Sequence, residues 1–153
     1  MILVGLPASG KTTFYQRRFA ATHRHVSKDL WPGTARKDAR QAAELSAAFR
    51  AGVSVVVDNT NPTVAERAPI IALARHFGAT VVGYYFDATT REAVGRNRGR
   101  EGKARVPDVA IFTKAKRMVV PTAAEGFDAL YRVTIGRDDE FIVCDLPDPR
   151  DRT

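Results

Sequence analysis

Gly5-Leu6-Pro7-Ala8-Ser9-Gly10-Lys11-Thr12 follows the apolar run Met1-Ile2-Leu3-Val4 and opens a helical pattern, which is the setting that G-x-x-x-x-G-K-[ST] needs to act as a phosphate-binding loop. A strand delivers the chain to the turn, and a helix leaves it with its positive end and its free N–H groups aimed back at the anion. The glycines allow backbone conformations that turn N–H groups inward, while the lysine reaches the β- and γ-phosphates and the threonine hydroxyl sits on Mg²⁺. The loop therefore predicts ATP and Mg²⁺ as ligands, with Gly5, Ala8, Ser9, Gly10, Lys11, Thr12 and Thr13 around the nucleotide and Thr12 on the metal. It also restricts the chain to folds in which a strand feeds a helix through this turn.

The rest of the sequence agrees with that restriction. Strand-like runs at Met1-Val4, His25-Ser27, Val53-Val57, Thr80-Phe86 and Tyr131-Ile135 alternate with helical patterns at Gly10-Ala21, Thr34-Ala51, Thr63-Phe77, Thr90-Arg98 and Asp108-Met118, the pattern of a parallel sheet covered by crossover helices. A short run at Glu140-Cys144 is a candidate edge strand. The expected fold class is α/β: a three-layer sandwich of P-loop NTPase type with a central, mainly parallel five-stranded sheet, helices on both faces and a basic lid. At 153 residues one domain is expected, residues 1–146, followed by an acidic, frayed tail at 147–153. The lid is the glycine-rich, basic stretch at about 96–107, closed by Pro107.

Composition narrows the partners. A formal net charge of +7 favours anionic partners such as nucleic acid, with solubility as the plain alternative. The single cysteine, Cys144, excludes an internal disulfide framework and in its apolar setting reads as a small core residue. No run approaches the roughly 18 apolar residues of a membrane span, and Met1 opens directly on the first strand, leaving no room for a signal peptide. A cytoplasmic protein is the expectation.

Several residues point to chemistry. Asp58 follows a central strand, where ligands of open α/β sheets lie, and reads as a metal-site carboxylate; the alternative is a strand-to-helix turn over Asp58-Asn59-Thr60-Asn61-Pro62 with Asn61 or Thr63 capping. Asp29 follows the short strand His25-Val26-Ser27 and reads either as the base that orients an acceptor hydroxyl and takes its proton, or as a helix cap. In the lid, Arg96, Arg98, Arg100, Lys103 and Arg105 supply cations that can neutralise charge on a transferred phosphoryl group, or form a solvated basic face. His23 and His25 are given no role, since no zinc ligand set surrounds them. Trp31 reads as a base- or sugar-stacking group or as core.

Together GLPASGKTTF at Gly5 to Phe14, VSKD at Val26 to Asp29, DNTNP at Asp58 to Pro62, RNRGRE at Arg96 to Glu101, and VPD and PTAAEGF between Val106 and Phe127 resemble, in order and spacing, the kinase domain of polynucleotide kinase/phosphatase. The resemblance implies transfer of the γ-phosphate of ATP to the 5'-hydroxyl ends of DNA or RNA in end repair. It implies Lys11 and Thr12 as triphosphate and Mg²⁺ residues, Asp29 as the base, Arg98 or Arg100 as the lid arginine, Asp58 and Asn61 around the metal and acceptor, and Arg67 as a contact to the substrate's phosphates. Ser27-Lys28 replaces the family's Asn-Arg before the aspartate, and lysine does not reproduce a bidentate guanidinium contact; the stretch Leu30 to Arg40 is longer than its counterpart. No D-x-D-x-T phosphatase signature is present, so a kinase alone is expected, with any phosphatase or ligase supplied by a separate partner. Two other readings stay open. One is a kinase of a small hydroxylated metabolite, nucleotide sugar or antibiotic; the other is a nucleotide-dependent binding module without transfer chemistry.

Overall fold

The computed structural model describes residues 1–151. Its strands are β1 (Ile2–Val4), β2 (Arg24–Val26), β3 (Val55–Asp58), β4 (Val82–Phe86), β5 (Ala129–Ile135) and β6 (Phe141–Asp145), and its helices are α1 (Lys11–Arg18), α2 (Lys37–Arg50), α3 (Val64–His76), α4 (Thr90–Arg98) and α5 (Asp108–Arg117). They build one six-stranded sheet in the order β2-β3-β1-β4-β5-β6. The pairs from β2 through β5 are parallel, and β6 joins β5 antiparallel. The candidate edge strand at Glu140-Cys144 is present as β6 and brings the five expected strands to six, because a short return from β5 needs only the tight turn at Arg137–Asp139.

The pleat sorts side chains into two layers. Ile2, Val4, Val55 and Val57 face α2 and α3, packing on Leu45, Ala48, Ile70 and Ala74, while Leu3, Val56, Phe86 and Val133 face α1 and pack on Phe14 and Tyr15. A smaller apolar group ties Leu6 to Ala93 and Ile111, seating α4 and α5 beside the phosphate loop. Because β1 lies between β3 and β4, the chain leaves β1 for one side of the sheet and later crosses to the other. The crevice at the carboxyl ends of β1 and β3 is where such folds hold ligands.

Helix limits follow local geometry. α3 and α4 start at capping boxes, Thr63 with Glu66 and Thr89 with Glu92. α1 ends at Arg18, short of Ala21, and α2 begins only at Lys37 because Arg36 takes a left-handed conformation with φ 58°. Cys144 is exposed, not a core residue as expected. On edge strand β6 the alternation turns Phe141 and Val143 toward the α1 layer and leaves Ile142 and Cys144 at the surface. Just before the tail, Leu146 N–H donates to Leu130 O, and within it Asp148 pairs with Arg150. Arg152 and Thr153, which complete the tail expected to fray, lie outside the described residues.

Candidate functional site

The phosphate loop has the required turn. Ala8 and Gly10 take positive φ, 63° and 97°, and a Cβ on Gly10 would come within 3.0 Å of Ile135 Cδ1 and 3.1 Å of Phe141 Cε1, so glycine serves both the backbone and the packing beneath. Among the described residues, the N–H groups of Gly10, Lys11, Thr12 and Thr13 have no protein acceptor. They form the donor cluster that an anion at a helix start uses.

Lys11 is buried, and its Nζ donates to Gly5 O at 3.0 Å and Leu6 O at 2.7 Å. Burial lowers its pKa to about 8, with Asp58 and Asp29 opposing the shift and Arg100 adding to it. An unscreened cation is thereby kept at the mouth of the loop, where bound phosphate would favour its protonated form.

Asp58 is also buried, at 4% exposure. Its position follows from strand parity: β3 residues alternate between layers, so Asp58 shares the α1 face with Val56. There its Oδ2 accepts from Thr12 Oγ1 at 2.7 Å and lies 2.9 Å from His25 Nε2. Burial alone pushes the carboxyl pKa up, but the hydrogen bonds from His25 and Thr12 and the charge of Lys11 outweigh it and hold Asp58 below its ordinary value. His25, given no role in the sequence, is therefore a partner of this carboxylate. Its ring stacks on Tyr15 at 4.3 Å, and Tyr15 Oη donates to His23 O. The signal was its parity on β2, readable only once β2 is known to lie beside β3.

Thr12 Oγ1 and Asp58 are hard oxygen donors, and Oδ1 of Asp58 takes no hydrogen bond among the described residues. No cluster of three acidic, histidine or cysteine ligands occurs among them. This donor set fits Mg²⁺, which keeps most of its waters and takes few protein ligands beside substrate phosphates.

Asp29 sits in the short turn Lys28–Leu30, whose N–H at Asp29 is capped by Ser27 Oγ. It is exposed and opens onto the same cleft as Lys11, Thr12, Asp58 and Arg100, a cavity of about 1090 Å³. A chain of amides braces the turn: Lys28 N–H donates to Asn59 Oδ1 at 2.9 Å, and Asn59 Nδ2 donates to Gln41 Oε1 at 2.7 Å.

One expectation is corrected and two are narrowed. Arg67 does not face substrate; it is fully buried, its Nε and Nη2 binding Glu125 at 2.7 and 3.0 Å and its Nη1 donating to Asn61 O. It fastens α3 to the segment before β5. Asn61 does not cap α3: its Nδ2 donates to Leu3 O at 2.8 Å in a left-handed residue with φ 47°, it lines the cleft, and Thr63 is the cap. Of the two lid arginines, Arg98 turns outward toward Asp108 at 3.8 Å, while Arg100 lines the cleft with Lys103. Trp31 belongs to the core, with the Arg40 guanidinium 4.6 Å over its ring. The lid neck is closed by buried Asn97, which donates to Val106 O at 2.6 Å and accepts from Val106 N–H at 3.0 Å.

This arrangement, a phosphate loop at the switch point of a parallel sheet, is that of a nucleotide-binding α/β protein. Residues 1–121 match the family described as AAA domain, and the chain belongs to that family. It is 30% identical over 131 residues to a bifunctional polynucleotide phosphatase/kinase of Schizosaccharomyces pombe, matching 83% of this chain and 31% of the relative. The chain spans about a third of the length of the curated relatives it matches. A chain from the structure of the Pnkp1/Rnl/Hen1 RNA repair complex superposes with TM-score 0.65 at 24% identity, covering 76% of this chain and 42% of that one. A gluconokinase from Sinorhizobium meliloti superposes with TM-score 0.62 at 16% identity, covering 89% of this chain and 82% of that one. No helix among the described residues is long and apolar enough to cross a membrane.

Proposed function

We propose that the chain is an ATP-dependent polynucleotide 5'-hydroxyl kinase. The observation that carries this reading is the single cleft onto which the phosphate loop and Asp29 both open, leaving room between donor and base for an acceptor end. The similarity to polynucleotide phosphatase/kinases and the net charge of +7 support nucleic acid as the acceptor.

In this mechanism the free N–H groups of Gly10 to Thr13 and Lys11 hold the β- and γ-phosphates. Thr12 and Asp58 are the residues that would hold Mg²⁺, which would supply neutralisation of phosphate charge there. Asp29 accepts the proton of the 5'-hydroxyl as its oxygen bonds to the γ-phosphorus, the bond from that phosphorus to the β,γ-bridging oxygen breaks, and ADP leaves. Arg100 and Lys103 balance the charge that spreads over the phosphoryl oxygens and exclude water as the lid closes. The 5'-phosphorylating step of nucleic-acid end repair is the role we infer.

The test is transfer of label from γ-labelled ATP to 5'-hydroxyl DNA and RNA oligonucleotides, with 5'-phosphorylated strands as blocked controls. Label on the 5'-hydroxyl strands alone is expected. ATP turnover stimulated by a small alcohol and indifferent to oligonucleotides overturns the reading in favour of a metabolite kinase.

A further inference from the structure

Gln41 projects from α2 into the wall of the cleft and is 6% exposed. The orientation of its amide is dictated by its neighbours. Lys28 N–H is a donor only, so the atom of Asn59 that meets it is Oδ1; Asn59 Nδ2 then points to Gln41, and the atom that receives it is Oε1. That leaves Gln41 Nε2, a two-proton donor with no acceptor among the described residues, at the face that lines the cleft. Arg132 Nε is the buried side-chain polar atom without a partner among the described residues, so Gln41 Nε2 reaches the cleft, where the edge of a ligand can take the place of water as its acceptor.

The surroundings specify that occupant. Beside Gln41, Ala42 and Leu45 of α2 face Pro69, Ile70 and Leu73 of α3 across the same cavity, so the amide stands at the rim of an apolar slot between two helices. Through Asn59 it is also tied to the turn that carries Asp29, placing the slot on the acceptor side. A flat, apolar ring system with hydrogen-bond acceptors on its edge satisfies both slot and amide.

We propose that Gln41 is a recognition residue for the terminal nucleobase of the acceptor strand, which enters the slot between α2 and α3 and accepts a hydrogen bond from Nε2 at a carbonyl oxygen or ring nitrogen. This inference rests on the proposed end-kinase activity and adds to it the contact that seats the terminal nucleoside. Asp29 acts on the hydroxyl; Gln41 holds the base.

The experiment compares a 5'-hydroxyl oligonucleotide ending in a pyrimidine nucleotide with the same strand ending in an abasic residue, using the wild-type protein and Gln41→Glu. The glutamate keeps an oxygen for Asn59, so the brace under Asp29 survives, but it offers no donor to the base. Wild type is expected to lose about tenfold in kcat/KM on the abasic end, mostly through KM. Gln41→Glu is expected to lose about as much on the pyrimidine end, with its KM for ATP unchanged, and to distinguish the two strands little. Repulsion between the new carboxylate and the strand's phosphates acts on both strands alike, so their ratio isolates the base contact. Equal treatment of the two strands by wild type overturns the proposal without need of any variant, and so does an undiminished strand ratio in a folded Gln41→Glu. Failure of wild type to label either strand counts against the end-kinase reading itself.

Discussion

Lys11 sits where burial opposes its charge, and that conflict makes nucleotide binding pH-dependent. Its pKa in the free protein is lowered to about 8 from 10.5, so between those values the unfolded chain holds more protons than the folded one. The contribution of this group to stability is therefore least favourable below about pH 8 and improves as pH rises toward 10.5. Nucleotide binding has the opposite sign, since the phosphates favour the protonated amine: affinity for ATP is expected to be flat from pH 6 to 7.5 and to fall by up to about tenfold per unit above 8, with proton uptake measurable by calorimetry in buffers of different ionisation heat. Asp29 yields a second prediction. Asp29→Asn keeps the shape of the turn and the Ser27 cap but cannot accept a proton, so kcat is expected to fall by about 10²–10⁴ while ATP affinity, measured by titration, stays within about twofold. The loop motif marked Lys11 in the sequence, and the strand-end position with the family resemblance marked Asp29; the structure places both on one cleft. His25 and Arg67 were not legible in this way: their partners Asp58 and Glu125 lie 33 and 58 positions away, and a histidine or arginine carries no mark of which distant carboxylate it will meet.

At the scale of elements, the lid and the fastening of α3 carry the next predictions. Asn97 clamps the neck of the lid, and beyond it Arg100 faces the cleft while Arg98 faces Asp108. Arg100→Ala is expected to lower kcat by about 10²–10³, the range for loss of one group that stabilises transition-state charge, whereas Arg98→Ala stays near wild type in a single-turnover assay. The basic run offered five cations and the resemblance singled out Arg98 or Arg100; the structure places Arg100 in the wall of the cleft and Arg98 beside Asp108. Arg67 and Glu125 form a bidentate pair with side chains 0% and 6% exposed. Arg67→Ala leaves a buried carboxylate uncompensated, at about 3–5 kcal/mol, so the melting temperature is expected to drop by roughly 10 °C. KM for an oligonucleotide acceptor, measured well below that temperature, should change little; a large rise in KM with an unchanged melting temperature would restore Arg67 to the substrate. The helices themselves were readable to within a turn. α1 and α2 differed where the backbone, at Phe19 and Arg36, left helical geometry for reasons outside helix propensity.

Across the whole molecule, charge and topology act together. The net charge of +7 predicts that oligonucleotide binding weakens with salt along a straight line of log K against log salt, losing roughly 0.7 units of slope for each phosphate of a single strand that is neutralised. Filter binding between 50 and 200 mM salt measures it; a flat response would remove nucleic acid as the natural acceptor. By itself the sequence determined the α/β class and the phosphate loop, and it marked Thr12 and Asp58 one by one, because hydrophobic alternation and short motifs act over a few residues and need no knowledge of what packs against them. Only the tertiary structure decided the strand order, the contacts of Asp58 with Thr12 and His25, the burial of Arg67 and the free amide of Gln41. Those depend on which elements become neighbours when the apolar faces are buried, and that is settled by the packing of the whole chain.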